Sequence, residues 1–290
     1  MTRLFERLAV AGVGLIGGSL ALAAREAGLV GEVIGYGRSP DNLAVALRRG
    51  IVDRVAEDAA VAVADADAIV LAAPIGACAG LAGAFRPHAR AGALLTDVGS
   101  VKAGLVAALE AAWAGQGPVV GAHPVAGSEA SGAAAARADL FRGERCILTP
   151  TPATDAAALA RVRALWEGVG ARVEEMAPET HDELLARVSH LTHLVAFALA
   201  AAAGGARVDG RTVLEYAGSG FRDTTRIAGG APEMWRDILL ANAPALGRAL
   251  DEFRAALDRL AGLVAAGDVR GLEEALAEAR AIRGRLGAKR

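Results

Sequence analysis

From Arg7 to about Thr151, short apolar runs alternate with stretches in which apolar residues recur every three or four positions. That alternation predicts βαβ units stacked around a parallel sheet. The runs predict strands at 8–13, 32–36, 68–73, 93–98 and 119–122, with a further strand at 146–149. The longer-period stretches predict crossover helices over 17–27, 41–49, 76–85 and 102–114. The longest uncharged run, Ala68 to Phe85, raises the question of a transmembrane helix, but Pro74, Gly76, Gly80 and Gly83 divide it into strand, turn and helix.

After Pro150 the pattern changes. A polar segment at 151–155 leads into a helix at 156–168 and a last strand at 171–176. From Pro178 onward no strand pattern is read, and Ala/Leu/Arg-rich helices run to the end. The helix from near Glu179 to about Ala203 is too long and too apolar to be a lone surface helix, so its own domain or a second subunit must cover it. The segment 243–283 carries heptad-like apolar spacing at Leu246, Leu250, Phe253, Leu257, Leu260 and Leu263, which predicts a homodimer through the C-terminal helices. The expected organisation is α/β: a Rossmann-type, mostly parallel sheet domain over 1–177, followed by an all-helical domain over 178–290.

Composition narrows the function classes. The chain of 290 residues is 53% hydrophobic and 22% charged, which is globular and not disordered. Lys plus Arg is 31 against Asp plus Glu 33, a formal charge of −2, so no basic stripe marks nucleic acid or an anionic membrane as a partner. Cys78 and Cys146 stand far apart in no CxxC spacing, which fits a reducing compartment and excludes a thiolate zinc site. The charged start MTRLFERLAVAG is not an export signal, and a cytoplasmic location is expected.

Candidate chemistry begins at Gly12-Val13-Gly14-Leu15-Ile16-Gly17, a GxGxxG sequence that follows one strand and opens a helix. Gly12 makes the tight turn, Gly14 admits a pyrophosphate to the backbone, and Gly17 lets helix and strand pack closely. The N–H groups at Leu15 and Ile16 open that helix toward the anion. A ribose is usually held by an acid at the end of the second strand, and Gly37 takes that position here. Arg38 and Ser39 beside it suit a 2′-phosphate, so NAD(P)+ is expected with a preference for NADP+. Pro74, after the strand at 68–73, is also assigned to the cofactor side.

Ser100 and the only internal lysine, Lys102, follow the strand at 93–98, and His123 follows the strand at 119–122. Both lie at the carboxyl edge, where an open α/β sheet places its ligands, and histidine suits acid–base work near neutrality. His190 and His193 lie three residues apart, but no third ligand accompanies them, so no metal site is read and His190 is taken as structural. The loop 218–226 carries Ser219, Asp223 and Arg226, the last able to hold a carboxylate.

The series GVGLIGGS, TDVGSVK, GAHPVAGSE, ILTPT, SHLTH, GSGFRDTTRIA and MWRDI covers nearly the whole chain and resembles the prephenate and arogenate dehydrogenase family of tyrosine biosynthesis. The resemblance implies oxidative decarboxylation of a small cyclohexadienol, with a nicotinamide cofactor accepting hydride as the ring becomes aromatic. By motif it implies that His123 is the catalytic base, that Ser100 orients it, and that Arg226 binds a substrate carboxylate. It implies His193 beside Ser189 in the substrate pocket, Glu129, His181 and Asp223 lining or gating the entrance, and Trp235 shielding the pocket. The chain departs from the family pattern at Gly37, at Thr192, where proline is common, and at Ser219 and Thr224. A neutral Ser219 favours prephenate or dual use over arogenate alone. Two other readings stay open on the sequence: a hydroxyacid dehydrogenase, although no lysine lies between Lys102 and Lys289, and a non-catalytic dinucleotide sensor.

Overall fold

The computed structural model describes residues 3–127 and 130–286, so Glu129 lies outside the described residues. Strands β1 (Phe5–Ala11), β2 (Val30–Tyr36), β3 (Arg54–Val55), β4 (Ala68–Leu71), β5 (Leu94–Asp97), β6 (Val119–Val125), β7 (Arg145–Thr149) and β8 (Arg172–Glu175) form one sheet. Its order is β3-β2-β1-β4-β5-β6-β7-β8. Every neighbouring pair is parallel except β6 with β7. The order reverses between β1 and β4, the switch point at which a sheet of this kind opens a crevice for a ligand.

The crossovers are α1 (Leu15–Glu26), α2 (Pro40–Arg48), α3 (Ala59–Val63), α4 (Ile75–Phe85) and α5 (Ala103–Ala112), with α6 (Ala156–Gly168) between β7 and β8. Because side chains alternate along a strand, each central strand feeds two cores. Leu8 and Val10 of β1 and Val70 of β4 join one core with Trp166 and Phe141, while Ala9, Ile69 and Leu71 join the other with Phe85 and Trp113. Burial on both faces explains why these strands read as continuous apolar runs.

The structure departs from the sequence reading in three places. Strand β6 continues through Val125 because β7 pairs with it from Val125↔Arg145 to Gly121↔Thr149, so His123 lies within the strand and not after it. The short β3 was not foreseen, and neither was an antiparallel ribbon of β9 (Arg207–Val208) and β10 (Arg211–Thr212). The long helix is α7 (Pro178–Leu185) and α8 (Leu191–Gly204), joined by a π-turn at Ala186–His190. In an unbroken helix, nine steps of about 100° would set His190 on the face opposite His181. The wider turn absorbs about one residue and swings His190 back toward it.

The run Pro178–Gly204 is long and apolar enough by length and composition to cross a bilayer. Its inward side carries His181, Asp182 and His190, all buried, a set suited to protein contacts and not to lipid. Beyond it lie α9 (Ser219–Thr225) and α10 (Pro232–Ala241).

The chain forms two compact units, Met1–Ala243 and Pro244–Arg290. The second is built from α11 (Ala243–Ala266) and α12 (Val269–Gly284), where one uninterrupted heptad-like segment was expected. Gly267, at φ +62°, turns the chain, and Asp268 caps α12 by accepting the Gly271 N–H at 2.9 Å. An Arg259–Glu278 ion pair at 3.6 Å ties the two helices, and Leu257, Val264, Leu276 and Ile282 are exposed.

Candidate active site

The loop after β1 fits a dinucleotide. Gly12 sits at φ +101° and donates its N–H to the Tyr36 carbonyl at 2.8 Å, and a Cβ there would strike the Ala72 carbonyl. A Cβ on Gly17 would strike the Gly12 carbonyl and the Ala72 side chain, so this helix and loop pack only with glycine. Gly14 faces open space. Helix α1 starts without a side-chain cap or an acid in its first turn, which leaves its first N–H groups at Leu15 and Ile16 for an anion. This pairing of an open glycine with an uncapped helix end is what a bound pyrophosphate requires. Along the same edge, Gly37 follows β2, Arg38 is exposed, and Pro74 occupies the cap position of α4. Ser39 caps α2, accepting the Asn42 N–H at 3.3 Å. Asn42 in turn donates to the Val13 carbonyl at 2.8 Å and accepts the Ala133 N–H at 2.7 Å, tying the glycine loop to the segment after β6.

At the carboxyl ends of β5 and β6 lies a second, wholly different environment. Asp97 and Lys102 are both completely buried and form an ion pair. The Asp97 carboxylate also accepts the Gly99 N–H at 2.7 Å and the Ala122 N–H at 3.2 Å, so the charge is met from three sides. Helix α5 has no local cap. Its first N–H groups, on Lys102 and Ala103, donate to Asp182 at 2.8 Å each, so a carboxylate about eighty residues away in the chain caps this helix.

Asp182 belongs to a longer chain of contacts. Its Oδ1 lies 2.8 Å from His181 Nδ1, and His181 Nε2 lies 2.8 Å from His123 Nδ1. The two imidazoles meet edge to face with centroids 5.0 Å apart. His181 was expected at an entrance, but it is fully buried behind His123, because α7 packs against the start of α5 and β7. Asn242 donates to the Asp182 backbone carbonyl and to His190 Nδ1, both at 2.9 Å. This gives His190 the Nε2–H tautomer, with its ring beside the Ser100 backbone.

The outer wall is aromatic. His193 stacks on Trp235 with ring centroids 3.5 Å apart, and its Nδ1 donates to the Ser189 carbonyl at 3.0 Å. Trp235 and Ile238 of α10 pack with Val101, Ile75 and Phe197, which joins the helical segment to the sheet edge. Arg226 lies close enough to His193 for its charge to act on the ring. Ser219 and Asp223 lie exposed on α9, and Ser100 is half-buried after β5. His190 and His193 engage different partners, and among the described residues no group of three or more His, Cys, Asp or Glu is placed to hold a metal.

Burial sets the electrostatics. Desolvation pushes the His123 imidazole well below its usual range, helped by the neighbouring His181 ring, against which a second positive charge would be repelled, and by the Lys102 ammonium. Burial holds His190 down to about 4 against a partial offset from Asp182. Burial also lowers His193, opposed by its bond to the Ser189 carbonyl and aided by Arg226. A neutral imidazole beside a buried hydrogen-bonded chain can take a proton from a bound hydroxyl, and the adjoining loop can hold a nicotinamide dinucleotide. Fold and site therefore define a nicotinamide-dependent oxidoreductase.

Comparison with known proteins narrows the class. The family model for the prephenate dehydrogenase nucleotide-binding domain matches residues 20–175, and that for the dimerization domain matches 177–278. The chain is 36% identical over 265 residues to cyclohexadienyl dehydrogenase of Zymomonas mobilis, covering 91% of this chain and 90% of that protein. Prephenate dehydrogenase from A. aeolicus, solved in complex with hydroxyphenyl propionate and NAD+, superposes with a TM-score of 0.92 at 35% identity, covering 97% of this chain and 98% of the other. Synechocystis arogenate dehydrogenase superposes at 0.82 with 32% identity, covering 97% of this chain and all of the other. The chain belongs to the prephenate dehydrogenase family.

A depressed histidine makes folding pH-dependent in a defined sense. Unfolded, His190 titrates near 6.5; folded, near 4; between those values the unfolded chain binds more protons. Its contribution is therefore complete above pH ~6.5 and is lost as pH falls toward 4, a change of up to about 3 kcal/mol. Urea unfolding across pH 4–7 should show this slope, and His190→Gln should flatten it; an unchanged slope in the variant would remove His190 as its source.

Proposed function

We propose that this chain oxidises and decarboxylates prephenate to 4-hydroxyphenylpyruvate. In that reaction the ring carbon bearing the hydroxyl loses hydride, the hydroxyl gives its proton to the base, and the ring carboxylate leaves as carbon dioxide as the ring becomes aromatic; the proton then returns to the phenolate oxygen. A nicotinamide dinucleotide, when bound, supplies the hydride acceptor. The observation that carries the reading is His123: a nearly buried imidazole held neutral, with one nitrogen engaged by His181 and Nε2 left to receive the hydroxyl proton. Ser100, at the end of β5 and beside His190, orients the hydroxyl toward His123. Arg226, near His193, binds a substrate carboxylate, and Trp235 stacked on His193 keeps water out of the pocket. Ser189 fixes the His193 ring through its carbonyl. Glu129, Ser219 and Asp223 enter the reading by their positions in the family motifs, as polar residues at the pocket entrance.

The preferred cofactor is NADP+. Gly37 removes the carboxylate that would repel a 2′-phosphate, while Arg38 is exposed beside it and the Ser39 hydroxyl follows. The working form is a cytoplasmic homodimer whose first domain, 1–177, binds the dinucleotide and whose second, 178–290, dimerises. Leu184, Val188 and Leu199 on the 178–204 helical run, and the uncovered apolar side chains of α11 and α12, support that assembly. Cys78 and Cys146 are buried, and burial raises the Cys78 thiol to about 12, in keeping with a reducing compartment.

Reduction of NAD+ and NADP+ should be followed by absorbance with prephenate and with arogenate. Turnover of prephenate is expected; turnover of arogenate as well would make the enzyme dual, and absence of turnover in all four pairings would favour a dinucleotide sensor. His123→Asn should lower kcat by about 10²–10⁴-fold with little change in KM, and Arg226→Ala should chiefly raise KM. Unchanged kcat in the first variant, or a pure kcat effect in the second, would contradict these roles.

A Cβ at Gly37 meets only Leu43 at ordinary contact distance, 3.6 Å, so an acid fits there. Gly37→Asp should shift kcat/KM from NADP+ toward NAD+ by about tenfold or more. No change in the ratio would refute the assignment of this position to cofactor choice.

A further inference from the structure

We propose that Asp182 and His181 act as positioning residues that fix the tautomer of His123, so that Nδ1 carries the proton and Nε2 presents its lone pair to the substrate. The inference rests on the reading of His123 as the base, and it follows from a count of donors and acceptors along one buried line.

The count starts at the end whose polarity is fixed. Asp182 receives two backbone N–H groups, from Lys102 and Ala103, at 2.8 Å each. A backbone N–H can only donate, so the carboxylate acts as an acceptor at both oxygens. The 2.8 Å contact between Asp182 Oδ1 and His181 Nδ1 is then a bond that His181 donates. In a neutral imidazole with a proton on Nδ1, Nε2 is an acceptor. His181 Nε2 therefore accepts across the 2.8 Å contact to His123 Nδ1, and His123 is the donor there. One nitrogen of His123 is thus committed as N–H, and the other is the base.

The neighbours leave little room for the opposite polarity. His181 is fully buried and Asp182 nearly so, so no exchange with bulk water offers the rings an alternative partner. Asn242 donates to the Asp182 backbone carbonyl and fixes the residue from behind. The charged and titratable groups around the line are Lys102 and Asp97 from the sheet edge and His190 from the π-turn. Lys102 is paired with Asp97, so the carboxylate left to answer a proton arriving on His123 is Asp182, reached through His181. When His123 Nε2 takes the substrate proton, the imidazolium keeps its Nδ1–H bond to His181. No proton needs to travel along the line for it to stabilise that charge.

His181 thus lies behind the base and not at the pocket entrance, where the family motif would put it, and Asp182 takes a role no motif assigned. Asp182→Asn keeps the size of the side chain but removes the negative charge that answers an imidazolium on His123, and its amide N–H2 must face a backbone N–H of α5 that can only donate.

The test reads the tautomer directly. In 15N spectra of the labelled full-length protein at pH 7.5, with His123 assigned by its absence in His123→Gln, Nδ1 should be protonated and Nε2 should show the shift of an unprotonated ring nitrogen. Asp182→Asn, which removes the charge behind the line, should lower kcat by about 10²–10⁴-fold while KM moves less than about threefold. A wild-type His123 protonated at Nε2 overturns the proposal, as does a folded Asp182→Asn protein with unchanged kcat. If Asp182→Asn does not fold, the wild-type spectrum alone decides. The two readings fail separately: full turnover in His123→Gln removes His123 as the base, whatever the tautomer, while loss of turnover there with full turnover in Asp182→Asn removes only the relay.

Discussion

The carboxylate of Asp182 is the contact on which the catalytic edge depends. Burying an ionised carboxylate costs several kcal/mol unless donors surround it, and here the donors come from two places, the first N–H groups of α5 and the neighbouring His181 ring, while Asn242 holds the backbone carbonyl of the same residue. Each of these partners has its own constraint. Helix α5 lacks a side-chain cap of its own, and without Asp182 its first turn would lose two satisfied N–H groups in a buried setting. The helical segment is thus fastened to the sheet by the same group that orders the histidines. Stability and chemistry share one side chain.

A second buried pair, Asp97 with Lys102, lies next to the first and has a different consequence. It places a positive charge near His123 that is already answered by its own partner, so the neighbouring ring feels burial first and charge second. The arrangement keeps His123 neutral where a surface histidine would be partly protonated, and a base is useful only in that form. The dinucleotide loop, by contrast, contains no titratable group in its turn and relies on backbone geometry alone: the positive φ of Gly12, the open face at Gly14 and the uncapped end of α1. One half of the site is a preorganised anion cradle, and the other is a preorganised acceptor of a proton.

Much of this was legible along the chain, and what was not has a common cause. The glycine loop and the central strands were readable because their signals are local: a fixed spacing of glycines after an apolar run, and burial on both faces that leaves no polar alternation. His123 was findable because a histidine at the carboxyl edge of a strand stands out in a chain with five. Its place inside β6 was not, because the extension to Val125 depends on pairing with β7 more than twenty residues on. His181 and Asp182 read as an ordinary polar start to a helix; their burial is created by contact with Lys102 and His123, some sixty to eighty residues earlier in the chain. The π-turn left no periodic trace, yet it aims His190. At Gly267-Asp268 the signal was present, a glycine followed by a capping acid, just past Leu263, the last residue of the heptad-like series.

The central claim is that the interior of this site holds His123 neutral by burial and by an ordered line of hydrogen bonds. Its most direct measurement is the titration of the His123 ring, followed by NMR of 13C-labelled histidine in the folded protein from pH 8 to pH 5. The account predicts a ring that remains in its neutral form through pH 6, with its midpoint well below 6.5. A midpoint at or above 6.5 in the folded state would contradict it.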